Sequence, residues 1–146
     1  MLPRYRPPLV LLALLAAAAF AVPQDAIAQE KTVVVHIGQF SNDLHSPAMG
    51  LGLARNLAEA GASVTVFLDR EGVRMADRGQ PLLVYGDTDL EEVLSAYMDA
   101  GGRVLVCPHC AELGGVERGE LRSGMEMGTQ EEVARLFMEA DLVISY

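Results

Sequence analysis

Cysteine is scarce in this chain: two of 146 residues, both in one four-residue string, Cys107-Pro108-His109-Cys110. A scaffold held by several disulfides is thereby excluded. There is no second Cys-x-x-Cys pair, so a tetrahedral zinc site would be two ligands short. Covalent haem is excluded as well, because Ala111 rather than histidine follows the second cysteine. Basic residues are outnumbered, 11 Lys and Arg against 20 Asp and Glu, giving a net charge of −9. That balance repels phosphate backbones and anionic lipid, so neither nucleic acid nor a membrane surface is a partner. The negative surplus reads as solubility. Repeats, linkers and low-complexity tracts are absent after the first thirty residues, which argues for one domain.

The N-terminal 28 residues have a different character. Arg4 and Arg6 precede an uncharged apolar run, Leu9 to Val22, and Ala26-Ile27-Ala28 supplies small residues for a cleavage site. This is the pattern of a secretory signal peptide, with the mature chain starting at Gln29. The run is shorter than the ~20 residues of a usual membrane span. With no Arg-Arg pair and no nearby cysteine, neither twin-arginine export nor a lipoprotein is indicated. Export places the protein in a periplasm, where a close thiol pair tends to oxidise. Without Arg4, Arg6 and Asp25 the charge moves from −9 to −10. The remaining ~118 residues suffice for one core.

From Thr32 onward strand and helix patterns alternate. Thr32 to Gly38 is a continuous β-branched run, the mark of a strand covered on both faces. Gln39 to His45 is a polar loop, and Ser46-Pro47 reads as an N-cap and first turn of a helix that Gly61 ends. Ser63 to Leu68 is a second buried-type strand. A short helix is expected around Val73 to Ala76, and Pro81 to Gly86 stays open between strand and loop. Thr88-Asp89-Leu90-Glu91 matches a capping box, and Leu90, Val93, Leu94, Tyr97 and Met98 repeat at helical spacing. Arg103 to Val106 is the strand leading to Cys107. Glu117 to Arg122 suggests a helical turn and Gly124 to Gly128 a short strand. Thr129-Gln130-Glu131-Glu132 is a second capping box, with Val133, Leu136, Phe137 and Ala140 on one helical face, and Leu142 to Tyr146 closes the chain as a strand. Such alternation predicts an α/β fold, three layers with a mainly parallel sheet of about five strands.

Cys107 then stands where a strand ends, on the edge where open α/β sheets gather their chemistry. Helix-start N–H groups beside it favour a thiolate. Four readings compete. A thioredoxin-type oxidoreductase shares the string C-P-H-C with the DsbA oxidases, but about 78 mature residues precede it here, and no proline follows Pro108 to face it. A metal site would draw on His36, His45 and His109, or on Met49, Met75, Met98, Met125, Met127 and Met138 for copper. His36, inside a strand, and most of the methionines read better as core. A structural disulfide would close too small a loop to restrict the unfolded chain much. The fourth reading is a sulfur carrier.

A family resemblance selects among them. Cys107 to Val116, running on through Glu117-Arg118-Gly119-Glu120-Leu121-Arg122-Ser123-Gly124-Met125-Glu126-Met127-Gly128-Thr129, resembles the DsrE/DsrF family, above all its YchN-like members. Val33-Val34-Val35-His36-Ile37-Gly38, Phe67-Leu68-Asp69-Arg70-Glu71-Gly72-Val73 and Ala140-Asp141-Leu142-Val143-Ile144-Ser145-Tyr146 fit as well, so the likeness spans Lys31 to Tyr146. It implies a small α/β domain forming homotrimers or homohexamers, with Cys107 as persulfide carrier at the end of the third strand. Cys110 matches a second cysteine that some members have, here the resolving thiol. No cofactor and no metal are implied, and the partner is a sulfur donor or acceptor, protein or small compound. The family's relay proteins work in the cytoplasm, whereas the leader here predicts export. Neighbours expected on the same edge are His109, Asn42, His45, Arg70 and Glu71. The alternative is a noncatalytic oligomeric module that binds a small ligand or metal and keeps a structural Cys107–Cys110 disulfide.

Overall fold

The structure, a computed structural model, describes residues 30–146, so the leader pattern over residues 1–28 lies outside it. The chain runs β1 (Thr32–Ile37), α1 (His45–Glu59), β2 (Ser63–Leu68), a 3-10 turn (Arg70–Ala76), a small hairpin of β3 (Val84–Tyr85) and β4 (Thr88–Asp89), α2 (Leu90–Asp99), β5 (Arg103–Val106), α3 (Pro108–Gly114), a second 3-10 turn (Arg118–Glu120), β6 (Met125–Met127), α4 (Gln130–Glu139) and β7 (Leu142–Ser145). The main sheet has five strands in the order β6-β5-β2-β1-β7. Every pairing in it is parallel. The expected α/β fold is therefore present, and all carboxyl ends share one edge.

Alternation along the strands assigns two faces. Val33, Val35, Ile37, Val64, Val66, Leu68, Val104 and Val106 pack with Leu51 and Ala54 of α1 and Leu90, Leu94 and Tyr97 of α2. This is the main core. Tyr97 reaches beneath the sheet, its hydroxyl 2.7 Å from the Val64 carbonyl oxygen and 3.2 Å from that of Arg103. Burial pushes its phenol up to about 12. The other face is thinner: Val34, Phe67 and Leu105 lie under Val133, Leu136 and Ala140. No residue of α4 is fully buried. Phe137, Met138 and Val143 are left exposed on that side, and Leu142 on the opposite face of β7.

Two helix starts differ from expectation. α1 begins two residues early, at His45, and the Asp43 carboxylate, not Ser46, gathers the free groups: it accepts from the His45 and Ser46 N–H and from Ser46 Oγ at 2.6 Å. That hydroxyl holds the Asp43 carboxyl below its ordinary range. In α2 the cap is Asp89, whose carboxylate accepts from the N–H of Glu91 and Glu92. Thr88 is instead in the hairpin, where it pairs with Tyr85. A carboxylate offers a charged acceptor to the positive helix start, so it displaces a neighbouring hydroxyl. The Thr129 capping box of α4 forms as expected.

Candidate functional site

The carboxyl edge of β5 carries the cysteines. Cys107 continues the parallel ladder, its N–H bonding to the Leu68 carbonyl oxygen at 2.8 Å, and is also the N-cap of α3. Pro108 occupies the first helical turn, and α3 stops after seven residues at Gly115, whose φ of 72° is the left-handed conformation glycine tolerates. Cys107 and Cys110 are both partly buried free thiols, one helical turn apart. His109 between them is exposed. Packing of α3 on the Arg70–Ala76 turn fixes it in place.

The expected thiolate is not what this arrangement favours. Burial is the largest influence on Cys107 and pushes its thiol above the ordinary value. The Cys110 thiol adds to the rise, while the N–H groups of Cys110 and His109 act in the opposite sense. Their geometry falls short of a capping hydrogen bond to Sγ, so their hold on the thiolate is weak. The helix start is also weakened by Pro108, which has no N–H to offer. So desolvation wins over a short, proline-depleted helix terminus.

The other expected neighbours separate into two groups. Asn42 is exposed in the turn after β1. The His45 ring meets the Tyr85 ring edge-on, centroids 5.5 Å apart, which ties it to the hairpin. Glu71 is exposed, and the cation beside it pairs elsewhere: Arg70 Nε donates to Asp69 Oδ1 at 3.2 Å. Arg70 has φ 44°, the one left-handed non-glycine residue among those described. Its guanidinium lies over Gly38, where a Cβ would overlap it.

Three residues that sequence patterns did not single out as functional stand on this edge. His36, expected in the core, has both ring nitrogens occupied: Nε2 is 2.7 Å from Asp69 Oδ1 and Nδ1 is 3.1 Å from Ser145 Oγ. The side chains of His36 and Asp69 are only 15% and 23% exposed, so solvent screens the contact poorly. The available signal was position: Asp69 follows β2 as Cys107 follows β5, on the edge where chemistry gathers. A groove of about 280 Å³ lies elsewhere, at the amino ends of the strands, lined by Thr32, Thr65, Arg103 and Arg135 among others. Cys107 does not line it.

A model of the DsrE/DsrF-like family matches residues 31–146. Among solved structures, the ychN protein from E. coli superposes with a TM-score of 0.65 at 26% identity, covering 80% of this chain and 99% of that one. A protein of unknown function, MTH1491 from Methanobacterium thermoautotrophicum, has the same fold, with a TM-score of 0.61 at 19% identity over 80% of this chain and 100% of that one. No curated protein sequence matches.

Proposed function

This chain belongs to the DsrE/DsrF-like family, and on that premise we propose that it carries sulfur, with Cys107 taking it up as a persulfide and Cys110 as the resolving thiol. The observation that carries the reading is the placement of Cys107: a partly buried free thiol on the carboxyl edge of the sheet, one turn from a second free thiol.

The chemistry starts with loss of the Cys107 proton, since only the thiolate attacks sulfur. The thiolate attacks a sulfane sulfur. A new S–S bond forms at Cys107, the bond between that sulfur and the donor breaks, and the donor's remaining fragment leaves with the electron pair. Cys110 thiolate then attacks Cys107 Sγ and expels hydrosulfide. The sulfane sulfur is reduced by two electrons and the thiol pair is oxidised to a disulfide, which an external dithiol must reduce. Partial burial shelters the persulfide from water, and the exposed edge admits a donor or acceptor.

Incubating the reduced protein with thiosulfate or polysulfide, followed by intact mass, tests the reading. We expect the mass of one added sulfur atom on the wild type and none on Cys107→Ser. Absence of the adduct with every donor overturns it and favours a noncatalytic binding module.

The leader pattern puts this chemistry in a periplasm. The uncovered apolar residues Phe137 and Met138 of α4 and Leu142 and Val143 of β7 support self-assembly into a homotrimer or homohexamer. Light scattering should give the mass of three or six chains, falling in Met138→Asp. A single-chain mass in the wild type refutes assembly.

A further inference from the structure

Four polar side chains stand in sheet order along the carboxyl edge: Cys107 after β5, Asp69 after β2, His36 on β1 and Ser145 on β7. Three facts establish the row. Leu68 pairs in register with Val106, and the Cys107 N–H bonds to the Leu68 carbonyl oxygen, so Asp69 and Cys107 are neighbours on adjacent strands. Parallel neighbours are about 4.8 Å apart. The Asp69 backbone is still extended, so its side chain shares the face of Phe67, the face against which Cys107 also packs. His36 is on that face too, its ring 6.0 Å from that of Phe67 and its residue in register with Ser145.

We infer that this row tunes the cysteine: Asp69 presents a negative charge to Cys107, and His36 and Arg70 set how much of that charge the sulfur feels. The inference rests on the sulfur-carrier reading for its purpose, although not for its test. His36 and Arg70 both donate to the same oxygen, Oδ1 of Asp69. A carboxylate only accepts, so Nε2 carries a hydrogen and Nδ1 faces the Ser145 hydroxyl. That hydroxyl either donates or accepts, so it holds the ring whether His36 is neutral or cationic. The Nε2–H of His36 disperses part of the Asp69 charge on its far side, which lessens what Cys107 faces. The charge that remains on the carboxylate opposes ionisation of the neighbouring thiol. Arg70 supplies a permanent share of the neutralisation, held in a strained backbone over Gly38.

The connectivity of Ser145, His36 and Asp69 resembles a hydrolase triad, but the edge does not support that chemistry. The N–H groups of Gly38 and Tyr146 beside it are bonded to the carbonyl oxygens of Tyr146 and His36, so neither is free to hold an oxyanion. Other titratable or charged groups on the edge are Asp43 ahead of α1, His45 at its start, Glu71 on the turn, and His109 and Cys110 on α3. His45 meets Tyr85, and Asp43 meets Ser46. His109 is the ionisable side chain closest to Cys107 in sequence, so it is kept unchanged in the test.

The experiment measures iodoacetamide alkylation of Cys107 against pH, in the reduced full chain carrying Cys110→Ser. Asp69→Asn should move the midpoint down by about 0.3 pH unit, so that alkylation below it runs about twofold faster. Arg70→Met, which takes a permanent cation off Asp69 and alters a side chain 56% exposed, should move the midpoint up and slow alkylation. Opposite signs from two partners of one hydrogen bond are what a merely structural contact does not produce. Shifts in the same direction, or no shift in either, overturn the inference. No sulfur donor is involved, so opposed shifts in a protein that takes up no sulfur refute the carrier reading alone. Sulfur uptake with no shifts refutes the row alone.

Discussion

In Cys110→Ser, sulfur taken up by Cys107 should stay there. The wild type, given a sulfane donor, is expected to release sulfide and end as the Cys107–Cys110 disulfide. The variant should hold the added sulfur atom and release essentially none as sulfide. The argument is geometric: Cys110 lies one turn into the helix that Cys107 caps, and the Ala111 N–H bonds to the Cys107 carbonyl oxygen at 2.9 Å, so the second thiol is held beside the first. A serine oxygen at that place is too weak a nucleophile to break the S–S bond. Uptake should also quicken near neutral pH, because the Cys110 thiol is one of the influences raising Cys107, and removing it lowers that value. Sulfide assay and intact mass read the two effects separately. Equal sulfide release from variant and wild type would show that Cys110 has no resolving role.

The second large effect concerns Gly72. A Cβ at this position would run into the backbone carbonyl of Ile37, which cannot swing aside as a side-chain tip can. Gly72 lies inside the Arg70–Ala76 turn, whose Val73, Met75 and Ala76 are fully buried and whose outer side supports α3. Gly72→Ala should therefore cost about 1–3 kcal/mol, the range for forced overpacking. It should appear as a lower denaturant midpoint at unchanged slope. Because the same turn carries α3, the variant should also alkylate at Cys107 faster, as burial is the leading influence on that thiol. An unchanged midpoint would mean that β1 and the turn shift apart freely, and the account of how α3 is fixed would fail.

Much of the fold was written in local patterns. The β-branched run from Thr32 and the helical spacing of Leu90, Leu94 and Tyr97 depend on neighbours a few residues away, so they survive without the fold. The Thr129 capping box is legible for the same reason. Caps were misplaced where two acceptors competed within three residues, as Asp43 did with Ser46 and Asp89 with Thr88. His36 was read as core because one polar residue in an apolar strand does not announce what stands on the next strand. Its partners, Asp69 and Ser145, are 33 and 109 residues away.

The amino-acid order by itself determined the alternation of strands and helices, the parallel character of the sheet, and the presence of two thiols at a strand's carboxyl end. These follow from side-chain period, turn chemistry and the spacing of one motif. Only the tertiary structure decided that Cys107 is desolvated enough to favour the thiol over the thiolate, and that Asp69, His36 and Ser145 stand in line beside it. Burial and charge proximity are properties of packed, non-adjacent segments, and strand order, which sets them, is chosen by how the helices cover the sheet.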